Sequence, residues 1–598
     1  MANPLLLLVA APTLAKRARA ALRSRDIPVP QAAPETDAIF IVLRRMRAPI
    51  ILLIVIFSVS VLGLTLIDGR DPEGNIHHLT AFDAFYFMSY TATTIGFGEL
   101  PYTFTTAQRM WVTGSIYASV IGWAYAVGTL FALVGDQALR AAVSAQRFRR
   151  RVGHLREPFV LLAGCGSAGL SVSRSLSRMD RRFVAVDDDP AAIQALRGMD
   201  LPVEPPGLVA DASAARVLGM AGLGSPYCEA VLALTGDDET NLAIVMAAQL
   251  LRPDMPVIAR TDHRVTELRM RDFEPDAVVN PYDRYGSYLI QALQQPVGYQ
   301  LTTWLTSEVG SPLPPLREGL ASGRWLVCSD DTFGIEVATD LRSVGLEVDL
   351  VELASNPDPD VVGAVGFVAG TSLDTTNISL ATRARIAEPS IFVCLRQESS
   401  AHTELLAGVD LDSVFIPADL VARETVARLV APGYWAFIAQ ASQQDDDWCR
   451  QVRDTLTGLL GERLPPSWRV RVNAAEAGAL VRRLTVSPGI RLRDVLRHPD
   501  NRAERLHLVP LMLIRGSTGI AMPGLDEVLQ VGDELVMTGW EPSFALFRTN
   551  LTVDSSLVYV VTGVEVPTSW IWRTLTHSER RVRQAEESLQ PADQLEDA

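Results

Sequence analysis

Hydrophobic positions fall into two regimes along this chain. Near the start they form long unbroken runs, and from about residue 158 they shrink to short apolar blocks separated by turn residues. Pro49 to Ile67 (PIILLIVIFSVSVLGLTLI) carries no charge. As a helix it would reach about 28 Å, close to a hydrocarbon thickness of about 30 Å. It lies too far into the chain, and is too long, for a signal peptide. Ala107 to Val134, charged only at Arg109, would reach about 42 Å, so its excess is expected to project beyond a bilayer. Between the two, Asp83 to Thr91 (DAFYFMSYT) predicts a short aromatic-rich helix. Later blocks such as Phe159 to Ala163, Phe183 to Val186 and Ala230 to Leu234 are strand-like. Each precedes a helical stretch, the alternation of an α/β fold with a parallel sheet.

The segment joining the two long runs contains Thr93-Thr94-Ile95-Gly96-Phe97-Gly98-Glu99. In a soluble chain a bare TxGxG is an ordinary loop. Between two spans it is irregular backbone at membrane depth, tolerated only where protein buries it or it lines a water-filled path. An extended strand of this kind can turn carbonyl oxygens toward a dehydrated cation. Gly96 and Gly98 supply the backbone freedom at alternate positions, and the Thr94 hydroxyl can add a ligand. The stretch resembles the TVGYG filter signature of potassium channels, which makes Thr94, Ile95, Gly96, Phe97 and Gly98 the candidate ion-selectivity filter and potassium the permeant ion. Two positions depart from that signature. Phe97 has no hydroxyl to bond the pore helix, and Glu99 is one methylene longer than the usual aspartate.

Basic residues precede the first span (Lys16, Arg17, Arg19, Arg23, Arg25, Arg44, Arg45, Arg47) and follow the second (Arg140, Arg147, Arg149, Arg150, Arg151). By the positive-inside rule both ends are expected to be cytoplasmic in a multi-pass protein of the cell membrane. The external loop then holds His77 and His78, either metal-binding or merely solvated. Pro4 to Ala11 is too short to span. A net charge of −15 argues against a nucleic-acid partner, and five cysteines without CxxC spacing indicate reduced thiols rather than zinc or disulfides. Lys16 is the only lysine, so the soluble part has neither a Walker A loop nor a Schiff-base lysine.

Phe159 to Ala163 runs into Gly164-Cys165-Gly166-Ser167-Ala168-Gly169 and then a helical stretch, which is GxGxxG between strand and helix. In that setting the glycines allow a tight turn, close approach to a pyrophosphate and helix-strand packing. Asp187 ends the next strand about twenty residues on, where a carboxylate can bond ribose hydroxyls. The candidate ligand is NAD or an adenosine nucleotide, held by Gly164, Gly166, Ser167, Ala168, Gly169, Asp187 and Asp211; the other reading keeps the glycines for packing alone. Cys165 is either a redox sensor or a small buried hydrophobe.

The series continues through Asp211-Ala212, Ala230 to Asp238 with Asn241, Pro256 to Arg260 and Asp276 to Pro281. It resembles the RCK family, the regulator-of-potassium-conductance domains. A second, degenerate copy is expected from Trp325 to Cys328, Val348 to Val351, Ala364 to Val368, Ser390 to Leu395 and Ser413 to Ile416. Its turn reads Ser329-Asp330-Asp331-Thr332-Phe333-Gly334, with carboxylates where a pyrophosphate would sit. Asp330 and Asp331 either bind a divalent cation or are solvated turn residues. After a polar break at Gln443 to Asp447, strands are expected at Leu484 to Val486, Leu508 to Arg515 and Val531 to Met537, as in an RCK C-terminal lobe.

The expected fold class is a membrane α-helical pore domain, two transmembrane helices with pore helix and filter, fused to cytoplasmic α/β Rossmann-like RCK domains. Its segments are an N-terminal part (1–47), pore (48–140), linker (141–157), first RCK domain (158–290), crossover (291–322), second RCK domain (323–465), C-terminal lobe (466–551) and tail (552–598). The resemblance implies a homotetramer whose nucleotide-binding ring gates the pore through residues 134–151, with Gly114, Gly122 and Gly128 as candidate bending points. It implies a channel and not an enzyme. The alternatives are a nucleotide-sensing subunit of a cation transporter and a membrane-anchored NAD-dependent oxidoreductase, for which the scattered histidines offer no catalytic setting.

Overall fold

The computed structural model describes residues 29–30 and 38–565, apart from 72, 100–102, 317–322, 357–358, 399–402, 407, 488 and 517. The readings at residues 4–11 and in the tail beyond 565 lie outside the described residues. Two compact units divide the chain at residues 155 and 156.

The first unit is helical. α1 (Ala38–Leu66) and α3 (Thr106–Val134) are long and apolar enough to cross a membrane, over Val42–Leu66 and Thr106–Leu133. Their contact is close because Gly63 has no side chain, and a Cβ there would lie 2.0 Å from the Trp111 ring. Trp111 Nε1 then donates to Ser60 O at 3.1 Å. The first span was expected to begin at Pro49, yet the helix begins at Ala38 and carries Arg44, Arg45 and Arg47 inside it. Pro49 forfeits only the bond to the carbonyl four residues back, a loss a long helix absorbs. Arg45 Nη2 meets Asp136 Oδ2 at 2.9 Å, just before α4 (Gln137–Gly153), which occupies most of the predicted linker. A Cβ at Gly122 would come within 3.0 Å of Leu53 and Ile56, so this glycine serves packing, whereas a Cβ at Gly114 or Gly128 would meet nothing within 4 Å.

α2 (Ala81–Ala92) lies between the long helices, capped by Thr80, whose hydroxyl accepts from Asp83 N. It buries Ala84, Phe87, Met88 and Tyr90 in a core with Leu64, Leu79 and Val112. That core is the fixed side of the segment that follows.

The second unit holds two parallel sheets. The first comprises β1 (Phe159–Ala163), β2 (Arg182–Asp187), β3 (Gly207–Val209), β4 (Cys228–Ala233), β5 (Val257–Arg260) and β6 (Ala277–Val279). Their order, β3-β2-β1-β4-β5-β6, is that of a doubly wound dinucleotide fold. α5 (Ser167–Arg178) follows β1. The second sheet comprises β7 (Arg324–Cys328), β8 (Glu347–Val351), β9 (Gly366–Ala369), β10 (Phe392–Arg396) and β11 (Ser413–Phe415), ordered β8-β7-β9-β10-β11. α7 (Thr332–Ser343) follows β7, with α6 (Pro281–Gln294) preceding this copy and α8 (Pro417–Val430) ending it. Among the described residues, the second sheet has no counterpart of β3.

The copies exchange their last helices. α8 of the second copy packs on α5 of the first, adding Ala418, Val421, Ala422 and Val426 to the core that contains Val172 and Leu176. α6 packs reciprocally on α7, joining Tyr282, Tyr285 and Leu289 to Phe333, Val337 and Leu341. α6 thus packs on the second copy although most of it falls within the segment expected for the first domain, 158–290.

β12 (Ser467–Arg471), β13 (Leu508–Arg515), β14 (Thr518–Ala521) and β15 (Glu534–Gly539) form an antiparallel sheet ordered β12-β15-β13-β14. The strand expected at Leu484 to Val486 is instead the end of a helix, Gly478–Val486, which buries Ala479 and Leu480. Three apolar residues carry no readable period, and the tertiary contact decides. The polar break is also partly helical, Asp445 capping Asp446–Leu460.

Candidate functional site

The candidate filter leaves α2 through a tight turn. Ile95 N and Gly96 N both donate to Tyr90 O, at 2.9 and 3.2 Å. Positive φ then recurs at every second residue: Thr94 at 61°, Gly96 at 64° and Gly98 at 73°. Such alternation is the backbone condition for successive carbonyls to face one side of an extended strand. Two of the three positions are glycines, and threonine bears the strain at the third.

Phe97 makes only an edge contact with the Tyr90 ring, 6.0 Å between centroids. The helix supplies the hydroxyls instead. Tyr90 OH donates to Glu99 O at 2.9 Å and Tyr86 OH to Glu99 Oε2 at 3.1 Å. The longer Glu99 carboxylate thus meets the Tyr86 hydroxyl, while Tyr90 holds the Glu99 backbone carbonyl. Of the two adjacent histidines, His78 places its Nε2 3.5 Å from Asp68 Oδ1.

At the carboxyl end of the first sheet, the glycine loop shows three different requirements. Gly164 has φ 99°, and a Cβ there would come within 2.5 Å of backbone at Leu234 and Thr235. Gly169 would place a Cβ 2.0 Å from Gly164 O. Gly166 is different, since a Cβ there meets nothing within 4 Å. Gly166 is also the N-cap of α5 and makes no side-chain cap to the first-turn N–H groups. Gly166 and Ser167 are exposed, while Ala168 and Gly169 are buried in the core. The sequence grouped these residues together; the structure divides them into packing positions and positions open to a ligand.

Asp187 ends β2 and is 9% exposed. Its Oδ2 accepts from Cys165 N at 2.5 Å and its Oδ1 from Asp189 N at 2.8 Å. The carboxylate expected to bond ribose thus also shapes the glycine loop. Ala210 N donates to Asp187 O at 2.8 Å, holding the ends of β2 and β3 together. Asp211 follows, exposed, its Oδ1 accepting from Ser213 N at 2.8 Å. Hydrogen bonding from Ser213, by its side chain first and its backbone N–H second, holds the Asp211 carboxyl below the ordinary range. Burial pushes the Cys165 thiol up to about 12, aided by the Asp187 charge. It is therefore uncharged at neutral pH, which fits a buried hydrophobe and not a reactive thiolate.

A side-chain network behind the cleft occurs twice, and the sequence reading missed its repetition. Thr235 N donates to Asn241 Oδ1, six residues on, and Asn241 Nδ2 to Arg260 O, nineteen further. Thr371, Asn377 and Arg396 repeat both spacings and both bonds. Val257 N to Asp276 Oδ2 likewise recurs as Val393 N to Asp412 Oδ2, each at 2.8 Å. One offset relates all these pairs (371 − 235 = 136). The signal was present in the chain as TGDDETN and TSLDTTN.

The second cleft is filled by its own side chains. Asp330 accepts from Ser372 N and Ser372 Oγ at 2.8 and 2.7 Å, and Asp331 meets Arg396 at 2.6 Å. The oxygens offered for a divalent cation are thus engaged by protein groups. Among the described residues, no group of three or more His, Cys, Asp or Glu is arranged to hold a metal.

Comparison with known proteins matches residues 160–281 to the TrkA-N domain family. Potassium channel protein 1 of Methanocaldococcus jannaschii is 25% identical over 237 residues, covering 39% of this chain and 65% of that protein. A putative K(+) efflux antiporter KefB of Alkalimonas amylolytica is 31% identical over 140 residues, 23% of this chain and 20% of that one. The chain thus spans less than two thirds of the length of these curated relatives. A solved structure, the GsuK channel bound to NAD, aligns with 85% of this chain and 98% of its own at 14% identity, with a TM-score of 0.40. Residues 160–281 are a TrkA-N domain, and the chain is a homologue of a potassium channel protein.

Proposed function

We propose that this TrkA-N homologue of a potassium channel protein is itself a ligand-gated potassium channel. NAD or an adenosine nucleotide, bound at Gly164, Gly166, Ser167, Ala168, Gly169, Asp187 and Asp211, shifts the pore between closed and open. One observation carries the reading. A segment with positive φ at Thr94, Gly96 and Gly98 lies between two apolar spans, in the same chain as a glycine loop open at Gly166. One chain supplies one filter strand, so the working channel is a homotetramer in the membrane with both termini cytoplasmic.

Gating then follows from linkage, since a ligand moves an equilibrium by its differential affinity for the two states. Taking a pore from 1% to 99% open needs a preference of about 10⁴, which four equal clefts supply at about tenfold each. The nucleotide acts as a regulatory ligand. Its occupancy is felt at α5, and α5 carries α8 of the second copy.

Purified full-length chain in liposomes is expected to take up rubidium down a potassium-loaded gradient, at a rate that changes severalfold with NAD. Sodium substituted for potassium should not support that uptake. A chain that binds NAD yet conducts nothing would favour the transporter-subunit reading instead.

A further inference from the structure

Arg44, Arg45 and Arg47 stand together on α1 where its charged start gives way to the apolar span, and they are not equivalent. Arg45 meets Asp136 at 2.9 Å. The Arg44 and Arg47 side chains are exposed and have no ion-pair partner among the described residues. The helix explains the difference. At about 100° per residue, Leu53, Ile56, Ser60 and Gly63 form the stripe that packs on α3, and Arg45 falls on that stripe.

Arg44 and Arg47 fall on the opposite side, as neighbours at a spacing of three. Ala48, Ile51, Leu52 and Val55 continue that side toward the middle of the span, and these six residues line an open groove of about 450 Å³. Ligand sites usually measure about 300–1,000 Å³. From Arg44 to Val55 the helix rises about 16 Å, which is close to one leaflet of a hydrocarbon core of about 30 Å. A guanidinium at the end of a span reaches the headgroup level, and its planar fork matches a phosphate. The groove thus joins two unpaired cations to an apolar strip one acyl chain long.

We propose that this face of α1 binds an anionic phospholipid of the leaflet at its Arg44 end: the lipid phosphate lies between Arg44 and Arg47, and one acyl chain follows Ala48, Ile51, Leu52 and Val55. The inference rests on α1 crossing the membrane and is independent of the nucleotide reading. It accounts for two arginines that lack a carboxylate beside a third that has one. It also gives a face with no protein neighbour in this chain a partner of matching charge and length.

The test is the fluorescence anisotropy of labelled phosphatidylglycerol bound to the full chain in detergent, with unlabelled phosphatidylglycerol, phosphatidylcholine and inorganic phosphate as competitors. Each arginine near an anionic headgroup is worth about fivefold, so Arg44→Gln together with Arg47→Gln is expected to weaken binding about 25-fold. Arg109→Gln, the same charge change at the start of α3, should leave binding unchanged, and neither variant should alter the melting temperature. Leu52→Trp, which fills the groove, should weaken binding with both arginines in place. Unchanged binding in the double variant, or an equal loss in Arg109→Gln, would overturn the proposal. So would phosphatidylcholine competing as well as phosphatidylglycerol, or displacement by inorganic phosphate. A Leu52→Cys variant that cross-links to a second chain would make this face a subunit contact and overturn it as well. Release of the chain from membranes by alkaline carbonate would remove the span itself, and the site with it.

Discussion

Replacing Gly96 by aspartate is expected to reduce rubidium uptake to the level of protein-free liposomes while leaving the assembled protein intact. Gly96 has φ 64° and stands in the middle of the alternation Thr94, Gly96, Gly98. A side chain there strains the backbone by about 1–3 kcal/mol and turns the adjoining carbonyls away from their common side. The carboxylate adds a fixed charge where a dehydrated cation must bind weakly enough to leave. The core beneath, Phe87, Met88 and Tyr90 against Leu64 and Val112, does not include Gly96. Size-exclusion chromatography of the variant should therefore match the unmodified protein. A variant that assembles normally and still conducts would remove the filter from the account.

The glycine loop should separate folding from binding when its three glycines are replaced one at a time by alanine. Gly164→Ala combines a left-handed φ of 99° with a Cβ pressed within 2.5 Å of Leu234 and Thr235 backbone. Backbone cannot swing aside as a side-chain tip can, and the cost is about 3 kcal/mol or more. Gly169→Ala meets Gly164 O at 2.0 Å and should be similarly damaging. Gly166→Ala enters open space at an ordinary φ of −66°. Its melting temperature without ligand should equal that of the unmodified chain. Saturating nucleotide normally adds about 2.7 kcal/mol at a hundredfold excess over the dissociation constant, and Gly166→Ala should lose most of that gain. Scanning calorimetry with and without NAD reads both effects. Gly166→Ala with full nucleotide stabilisation would mean that the open space is not a ligand site.

What was legible in the chain was whatever contiguous residues decide. The filter stretch and the GxGxxG loop are specified by neighbours in sequence: the first follows α2 with positive φ at Thr94, Gly96 and Gly98, and the second is a strand-to-helix turn after β1. Asp331 as an engaged turn residue was half visible, since two carboxylates in a glycine-loop position exclude a pyrophosphate. Its partner, Arg396, lies 65 residues away and could not be paired with it from spacing alone. The helix exchange between the copies has the same character. Nothing local in Pro417–Val430 says that it covers α5 of the other copy rather than its own. Helix Gly478–Val486 was misread because Leu484 to Val486 is too short to show a period, and α1 started early because charged residues do not end a helix. The repeated Thr-Asn-Arg network was readable and went unread; its constant offset is the clearest sign of duplication in the chain.

The most direct test is the open probability of single channels in a planar bilayer before and after NAD is perfused on the side facing the TrkA-N domain. A reproducible change in open probability, absent from Gly166→Ala channels of the same conductance, is the predicted result. Potassium currents indifferent to NAD, in protein whose NAD binding is measured in parallel, would contradict it.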